Sequence, residues 1–144
     1  MMKKLLLLPL LLILFGCSND ESAPNTPPNL NISFMEYSVD NTTKTTTNVS
    51  YIYSASNTLK ATGTHDGANN CVIFVNDSGT GSSIIQTIEI KHQALNYLPG
   101  TNFTTNISVN DAERIEGTFS GVFRKDSDPN IQISITNGVF RIMK

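Results

Sequence analysis

The feature that most constrains this chain is a two-residue alternation of large and small or polar side chains, repeated from one short segment to the next. Ile131, Ile133 and Ile135 stand on one parity with Gln132 and Ser134 between them, and Ile115, Gly117, Phe119, Gly121 and Phe123 follow the same rule. A period of two puts successive side chains on opposite faces of a β-strand, whereas a helix needs a period near 3.6. Thr, Asn, Ser and Ile are plentiful while Leu and Ala are sparse after the N-terminus, which favours pleated strands and turns.

Followed along the chain, this rule predicts a succession of short strands. Leu30, Ile32 and Phe34 alternate and Met35, Tyr37 and Val39 continue on the other parity, so one strand with a bulge near Phe34 is expected. Val49, Tyr51 and Tyr53 mark the next, residues 57–64 another, and the apolar run Cys71 to Val75 a buried strand within 70–76. Asn76 to Gly81 reads as a turn, and Ile84 or Ile85 with Ile88 and Ile90 as a strand ending near Lys91. Residues 92–97 hold the one helix-favouring patch of the domain, Gln93-Ala94-Leu95, and predict a single helical turn before a turn at Leu98-Pro99-Gly100-Thr101. Strands resume at 103–110 and 115–123, where glycines alternating with large residues predict close approach of another backbone, or curvature. A polar loop over 124–130 leads to 131–135, and Asn137-Gly138 is either a type I′ hairpin turn or a bulge before Val139 to Met143. About eight or nine short strands without a sustained helical period predict an all-β fold, a single antiparallel β-sandwich or flattened barrel.

The N-terminus obeys different rules. Lys3-Lys4 is followed by an apolar run from Leu5 to Phe15 broken only by Pro9. Laid out as a helix, such a run crosses roughly half of a hydrocarbon core about 30 Å thick, so it predicts a signal peptide and not a membrane span. Leu14-Phe15-Gly16-Cys17 then resembles the bacterial lipobox. The resemblance implies that the Cys17 thiol receives a diacylglyceryl group, that the bond before it is cut, and that the new amine is acylated. A thiolate suits thioether formation because it is the strongest nucleophile among side chains. Two or three acyl chains, at about 0.8 kcal/mol per buried CH₂, would make attachment effectively permanent.

After Cys17 come Ser18-Asn19-Asp20-Glu21 and a polar stretch to Asn29 carrying three of the six prolines. It has too little apolar surface to bury and predicts a semi-extended, disordered tether. Three parts are thus expected: residues 1–16 as leader, 17–29 as lipidated cysteine and tether, and 30–144 as the β-rich domain. Asp20-Glu21 also resembles the short export signal that sends lipoproteins of the Bacteroidota to the outer face of the outer membrane, with a solvated linker as the plain alternative. The segment Ile115-Glu-Gly-Thr-Phe-Ser-Gly121, a polar loop, then Ile135-Thr-Asn-Gly-Val-Phe140 resembles the C-terminal half of small uncharacterised lipoproteins of that phylum. That likeness implies fold and location, names no catalytic residue, and leaves Phe119, Gly121, Gly138 and Phe140 as structural.

Loss of residues 1–16 would remove Lys3 and Lys4, leaving eight basic against twelve acidic residues and a formal charge of −4. A mildly acidic domain without a basic cluster gains nothing from counterion release on a polyanion, which argues against nucleic acid and anionic headgroups as partners. Cys17 being committed to lipid, Cys71 has no internal disulfide partner, and its place in an apolar run predicts a small buried hydrophobe.

Candidate chemistry is sparse. A nucleophilic Cys71 served by His65 or His92 and oriented by Asp66 or Asp77 fits no known spacing, and an apolar strand does not favour a thiolate. His65-Asp66 with His92 would supply a metal with three ligands only if the fold gathered them, so no metal or other cofactor is expected. Asp126-Ser-Asp-Pro-Asn130 starts like a calcium loop, but Ile131 stands where an EF-hand needs Gly and no Glu follows at the twelfth position. Nothing in the spacing of Glu89, Asp111, Glu113 and Glu116 selects a pair for glycoside hydrolysis. The chain has no Trp, and Tyr37, Tyr51, Tyr53 and Tyr97 would form an aromatic ligand face only if they were not packed across strands. The expectation is a non-enzymatic envelope lipoprotein anchored in the outer membrane through Cys17, on either face. Its domain would bind an extracellular glycan or protein, or serve as an accessory. The alternatives are a structural or assembly partner of another envelope protein, and an enzyme or enzyme inhibitor.

Overall fold

The computed structural model describes residues 31–54 and 57–144. The expected leader, Cys17 and the tether lie outside these residues. Ten strands follow in order: β1 (Phe34–Val39), β2 (Thr42–Thr46), β3 (Val49–Tyr53), β4 (Thr58–Thr64), β5 (Asn70–Asn76), β6 (Ile85–His92), β7 (Leu95–Pro99), β8 (Thr104–Asn110), β9 (Arg114–Lys125) and β10 (Asp128–Met143). All pairs are antiparallel and form one sheet, ordered β2-β1-β10-β9-β7-β6-β5-β4-β3, with β8 beside β9. The fold is all-β, as expected.

The sheet curls without closing its hydrogen bonding. Its two edges, β2 and β3, are consecutive in the chain and joined only by Thr47 and Asn48. Asn48 O accepts from Thr64 N at 3.0 Å, and Thr46 Oγ1 donates to Thr64 O at 2.7 Å, so the corner is pinned to the end of β4. The two halves of its inward face then meet as in a sandwich. Gly63 of β4 lies under the Met35 side chain of β1, and Tyr37 of β1 packs edge-on against His65 at 5.3 Å. Between them Leu59, Ile73, Ile88, Ile90, Ile115, Phe123 and Ile142 are buried, all at positions the alternation aims inward. Removing such side chains from water, at about 25 cal/mol per Å² of apolar surface, is what drives the sheet to curl.

Several local expectations are corrected. There is no bulge near Phe34: Phe34 faces outward and Met35 inward in ordinary alternation, and the register shifts at Tyr37, between Glu36 and Ser38. That shift faces a second one in β10 at Asn137-Gly138, which is therefore a bulge inside one continuous strand and not a hairpin turn; Asn137 takes the left-handed conformation at φ 53°. The segments 131–135 and 139–143 thus merge into β10, while β2 and β7 are additional. The helical turn expected over 92–97 is instead a two-residue hairpin, with Gln93 and Ala94 both at positive φ (50° and 65°) and β7 beginning at Leu95. Left-handed conformations in ordinary residues cost on the order of 1 kcal/mol each. Here Ala94 N donates to Ala68 O (2.9 Å) and Gln93 N to Asn69 Oδ1 (3.3 Å), so the neighbouring loop overrides local preference.

β9 is the pivot of the sheet. One edge pairs with β10 from Arg114 to Lys125, while the other pairs with β8 up to Ser120 and with β7 from Phe123. Gly121 sits at the change of partner with φ 143°, and a Cβ there would lie 2.5 Å from Asn102 O. The alternating glycines thus mark close backbone approach, as the sequence predicted.

Candidate functional site

The shift of register shared by β1 and β10 bends this half of the molecule, and bulges bend strands by placing two residues opposite one. The bend coincides with a concavity of about 870 Å³ on the outer face of β2, β1, β10, β9 and β8. Residues directly opposite in antiparallel strands point to the same side, so its floor can be read as rows. Phe34, Arg141 and Glu116 form one row, and Glu36, Val139, Thr118 and Asn106 the next, which Thr45 of β2 continues beyond the lining. Thr43 and Ser38 at one end and Ser120 and Thr104 at the other form a third, with the bulged Asn137 between them.

The groups of this lattice are held by one another. Arg141 Nε and Arg114 Nε both approach Glu116 Oε1, at 2.7 and 2.8 Å. The Arg141 guanidinium lies over the Phe34 ring, 5.5 Å from its centre, and Phe34, Phe119 and Phe140, the aromatic residues of the lining, are all buried. Thr45 Oγ1 donates to Glu36 Oε2 at 2.8 Å, and hydroxyl pairs link Ser38 with Thr43 (3.1 Å) and Thr104 with Ser120 (2.8 Å). Glu36 has no cation within ion-pair distance among the described residues. The site therefore offers hydroxyls, amides and one carboxylate on a rigid sheet, around a small aliphatic centre at Val139.

A second polar group closes one end of the interior, where the inward parities of β1, β4, β5 and β6 run out. Asp66 Oδ1 accepts from Ala68 N (2.7 Å) and Asn69 Nδ2 (2.9 Å), and these bonds hold its carboxyl below the usual range. Burial pushes the His65 imidazole below its ordinary pKa, against a backbone hydrogen bond with Thr45 that works the other way. His92 is 7% exposed and its Nε2 stands 3.9 Å from Asp40 Oδ2. Tyr37 is fully buried, and burial raises its phenol.

The residues singled out from sequence fare as follows. Cys71 is buried near the start of β5 with its thiol pushed up by desolvation, the reverse of a nucleophile's setting. Asp77 lies in the loop after β5 and pairs with Lys144 Nζ at 2.5 Å. His65 and His92 sit at one end of the interior, but among the described residues no group of three or more His, Cys, Asp or Glu side chains is placed to hold a metal ion. Asp126 forms a two-residue hairpin turn with Ser127, and Asp128 Oδ1 accepts from Asn130 N at 3.1 Å. Glu89 lies on the outer face of β6, Asp111 and Glu113 belong to the turn before β9, and only Glu116 reaches the groove. Tyr37 and Tyr97 are buried, while Tyr51 and Tyr53 meet edge-to-face at 5.9 Å on β3, so the four tyrosines form no common face.

Glu36, Arg141, Thr104 and Asn106 were not anticipated. Each occupies the outward parity of a strand whose inward parity was legible, which was the available signal; what brings them together is the strand order. Comparison with protein-family models, curated proteins and solved structures returns no match.

Proposed function

We propose that this chain is a lipid-anchored envelope lipoprotein, attached to the outer membrane through Cys17, whose β-domain binds a ligand in the groove of β1 and β8–β10 without transforming it. The groove carries the binding half of this reading: a fixed lattice of polar side chains around Val139 on a sheet that needs none of them for its core. Absence of catalysis is supported by the placement of its carboxylates. Glu36 and Glu116 stand two strands apart and two residues along, and the Glu36 carboxylate accepts from Thr45 Oγ1. Glu116 is moreover held by two guanidiniums. The anchor is supported by Lys3-Lys4, the apolar run and Leu14-Phe15-Gly16-Cys17.

Metabolic labelling with a palmitate analogue, followed by detergent phase partition, tests the anchor. Wild type should label and enter the detergent phase, and Cys17→Ser should do neither. Quantitative detergent partition of a cleaved Cys17→Ser protein would sink it. Protease shaving of intact cells, with a periplasmic protein as control, then assigns the face of the membrane.

One observation favours a second reading, an assembly partner of another envelope protein. β3 is an unpaired edge, Val-Ser-Tyr-Ile-Tyr, without charge or Pro, and it exposes Ile52 (64%) and Tyr53 (51%). Natural edge strands usually carry such guards against pairing. Site-specific crosslinking from Ile52 in cells separates the readings, since a discrete crosslinked envelope protein favours assembly.

A further inference from the structure

We infer that the groove takes an uncharged oligosaccharide, lying across the strands from Thr45 on β2 to Asn106 on β8. This rests on the reading of the groove as a binding site and adds its ligand class.

Charge excludes one family of ligands. Both guanidiniums near the groove converge on the same Glu116 oxygen, whereas Glu36 has no cationic partner within ion-pair distance among the described residues. A uronate, sulfate or phosphate chain would meet an unbalanced carboxylate and find the arginines engaged, and such a mismatch works against binding. The lack of a large exposed anchor in the groove argues against another, a protein partner. Protein interfaces draw their affinity from a few large, fully desolvated apolar or aromatic anchors. Phe34 is 6% exposed beneath Arg141, and Val139 is the aliphatic side chain at the centre of the floor.

What remains is suited to a chain of neutral hydroxyls. Thr45, Glu36, Val139, Thr118 and Asn106 lie on successive strands about 4.8 Å apart, a run of roughly 19 Å. Thr hydroxyls both donate and accept, the Asn106 amide does both through separate atoms, and the Glu36 carboxylate accepts from hydroxyls in strong charge-assisted bonds. Val139 gives the C–H face of a sugar ring an aliphatic contact. Backbone pairing fixes the spacing of these positions, and the hydrogen bond from Thr45 Oγ1 to Glu36 already orders one pair of side chains, which lowers the cost of binding.

The test is a glycan array of neutral and anionic oligosaccharides probed with detergent-solubilised full-length protein, followed by calorimetry on the best binder. A neutral oligosaccharide is expected. Glu36→Ala should weaken it about tenfold, the scale of one hydrogen bond to a charged group, and Val139→Lys should abolish it. Where Val139→Lys fails to fold by circular dichroism, Thr118→Lys replaces it. An anionic glycan or a peptide that binds and is lost in the lysine variant overturns the neutral-sugar assignment while the groove remains a binding site. Finding no binder of any class that is sensitive to the lysine variant overturns both.

Discussion

Replacing Gly117 by alanine asks directly whether the glycines of β9 exist to let strands approach. A Cβ at Gly117 would lie 2.6 Å from Asn106 O of β8, 2.8 Å from Phe140 Cζ and 3.0 Å from Ile107 Cδ1, where ordinary contact begins at 3.4 Å. The nearest obstacle is a backbone carbonyl in a strand paired to β9 at Ile107↔Gly117 and Asn106↔Thr118, so relief means displacing β8 as a whole. Overpacking of this kind costs about 1–3 kcal/mol. The lower entropy of the unfolded alanine chain returns about 0.4–1 kcal/mol. The net expectation is about 1–2 kcal/mol of destabilisation, or a fall in Tm of very roughly 4–8 °C for a domain of this length. Gly63→Ala supplies the contrast. The three atoms nearest its Cβ would all belong to the Met35 side chain, with Sδ at 2.6 Å, and a thioether with three rotatable bonds adapts more readily than backbone. It should cost less than half as much.

Urea unfolding of a soluble form spanning the ten strands, monitored by circular dichroism, measures both differences. The slope of the transition should stay constant, so that changes in midpoint report native-state stability. A Gly117→Ala protein as stable as wild type would show that β8 yields freely. Equal losses at both positions would show that the distinction between backbone and side-chain obstacles is wrong.

Three further outcomes follow from titratable groups and the core thiol. His65 has a folded-state pKa held below its ordinary 6.5 by burial, so the unfolded chain binds its proton more readily. Stability from this group is present above pH about 6.5 and is lost as pH falls toward the folded value. The urea midpoint should drop between pH 7.5 and 5.5, and His65→Gln should flatten that drop; an unchanged pH profile refutes the assignment. Asp66 and Asp111, both held below 3.8, act lower, contributing stability above that value that is lost on further acidification. Cys71, fully buried with a raised pKa, should resist a thiol reagent in native protein and react stoichiometrically in urea; rapid native labelling would contradict its placement in the core.

How much of this was legible in the sequence depends on the range of the interactions involved. Alternation placed Ile88, Ile90, Ile133, Ile135 and Phe123 inside correctly, because side-chain parity is a local property of an extended chain and burial merely selects one face. Turns made by residues suited to them were also legible, as at 76–81. The hairpin at Gln93-Ala94 was not, because neither residue prefers positive φ and the hydrogen bonds that hold it come from Ala68 and Asn69, more than twenty positions earlier. β2 was missed for the opposite reason. Thr-Thr-Lys-Thr-Thr has no apolar alternation, and its strand is defined by pairing with β1 through the Asp40-Asn41 turn, where both residues are left-handed at φ 49° and 60°.

The candidate site lies at the far end of this scale. Parity shows that Glu36 points away from Met35 and Tyr37, yet nothing in the sequence says that Val139 and Thr118 will be its neighbours, since those contacts join positions about a hundred residues apart. Strand order depends on which of many antiparallel pairings buries the inward parity best, a choice made by the whole core. The covalent corner at Thr47-Asn48 is one of its consequences. A chain that turns from one sheet edge to the other in two residues forces the β1–β10 half to face the β4–β5 half, and the outer surface of the first half is left concave and uncovered. The groove is therefore a by-product of how the core closes, and its polar lining costs the fold little, which leaves those positions free to be shaped by a ligand.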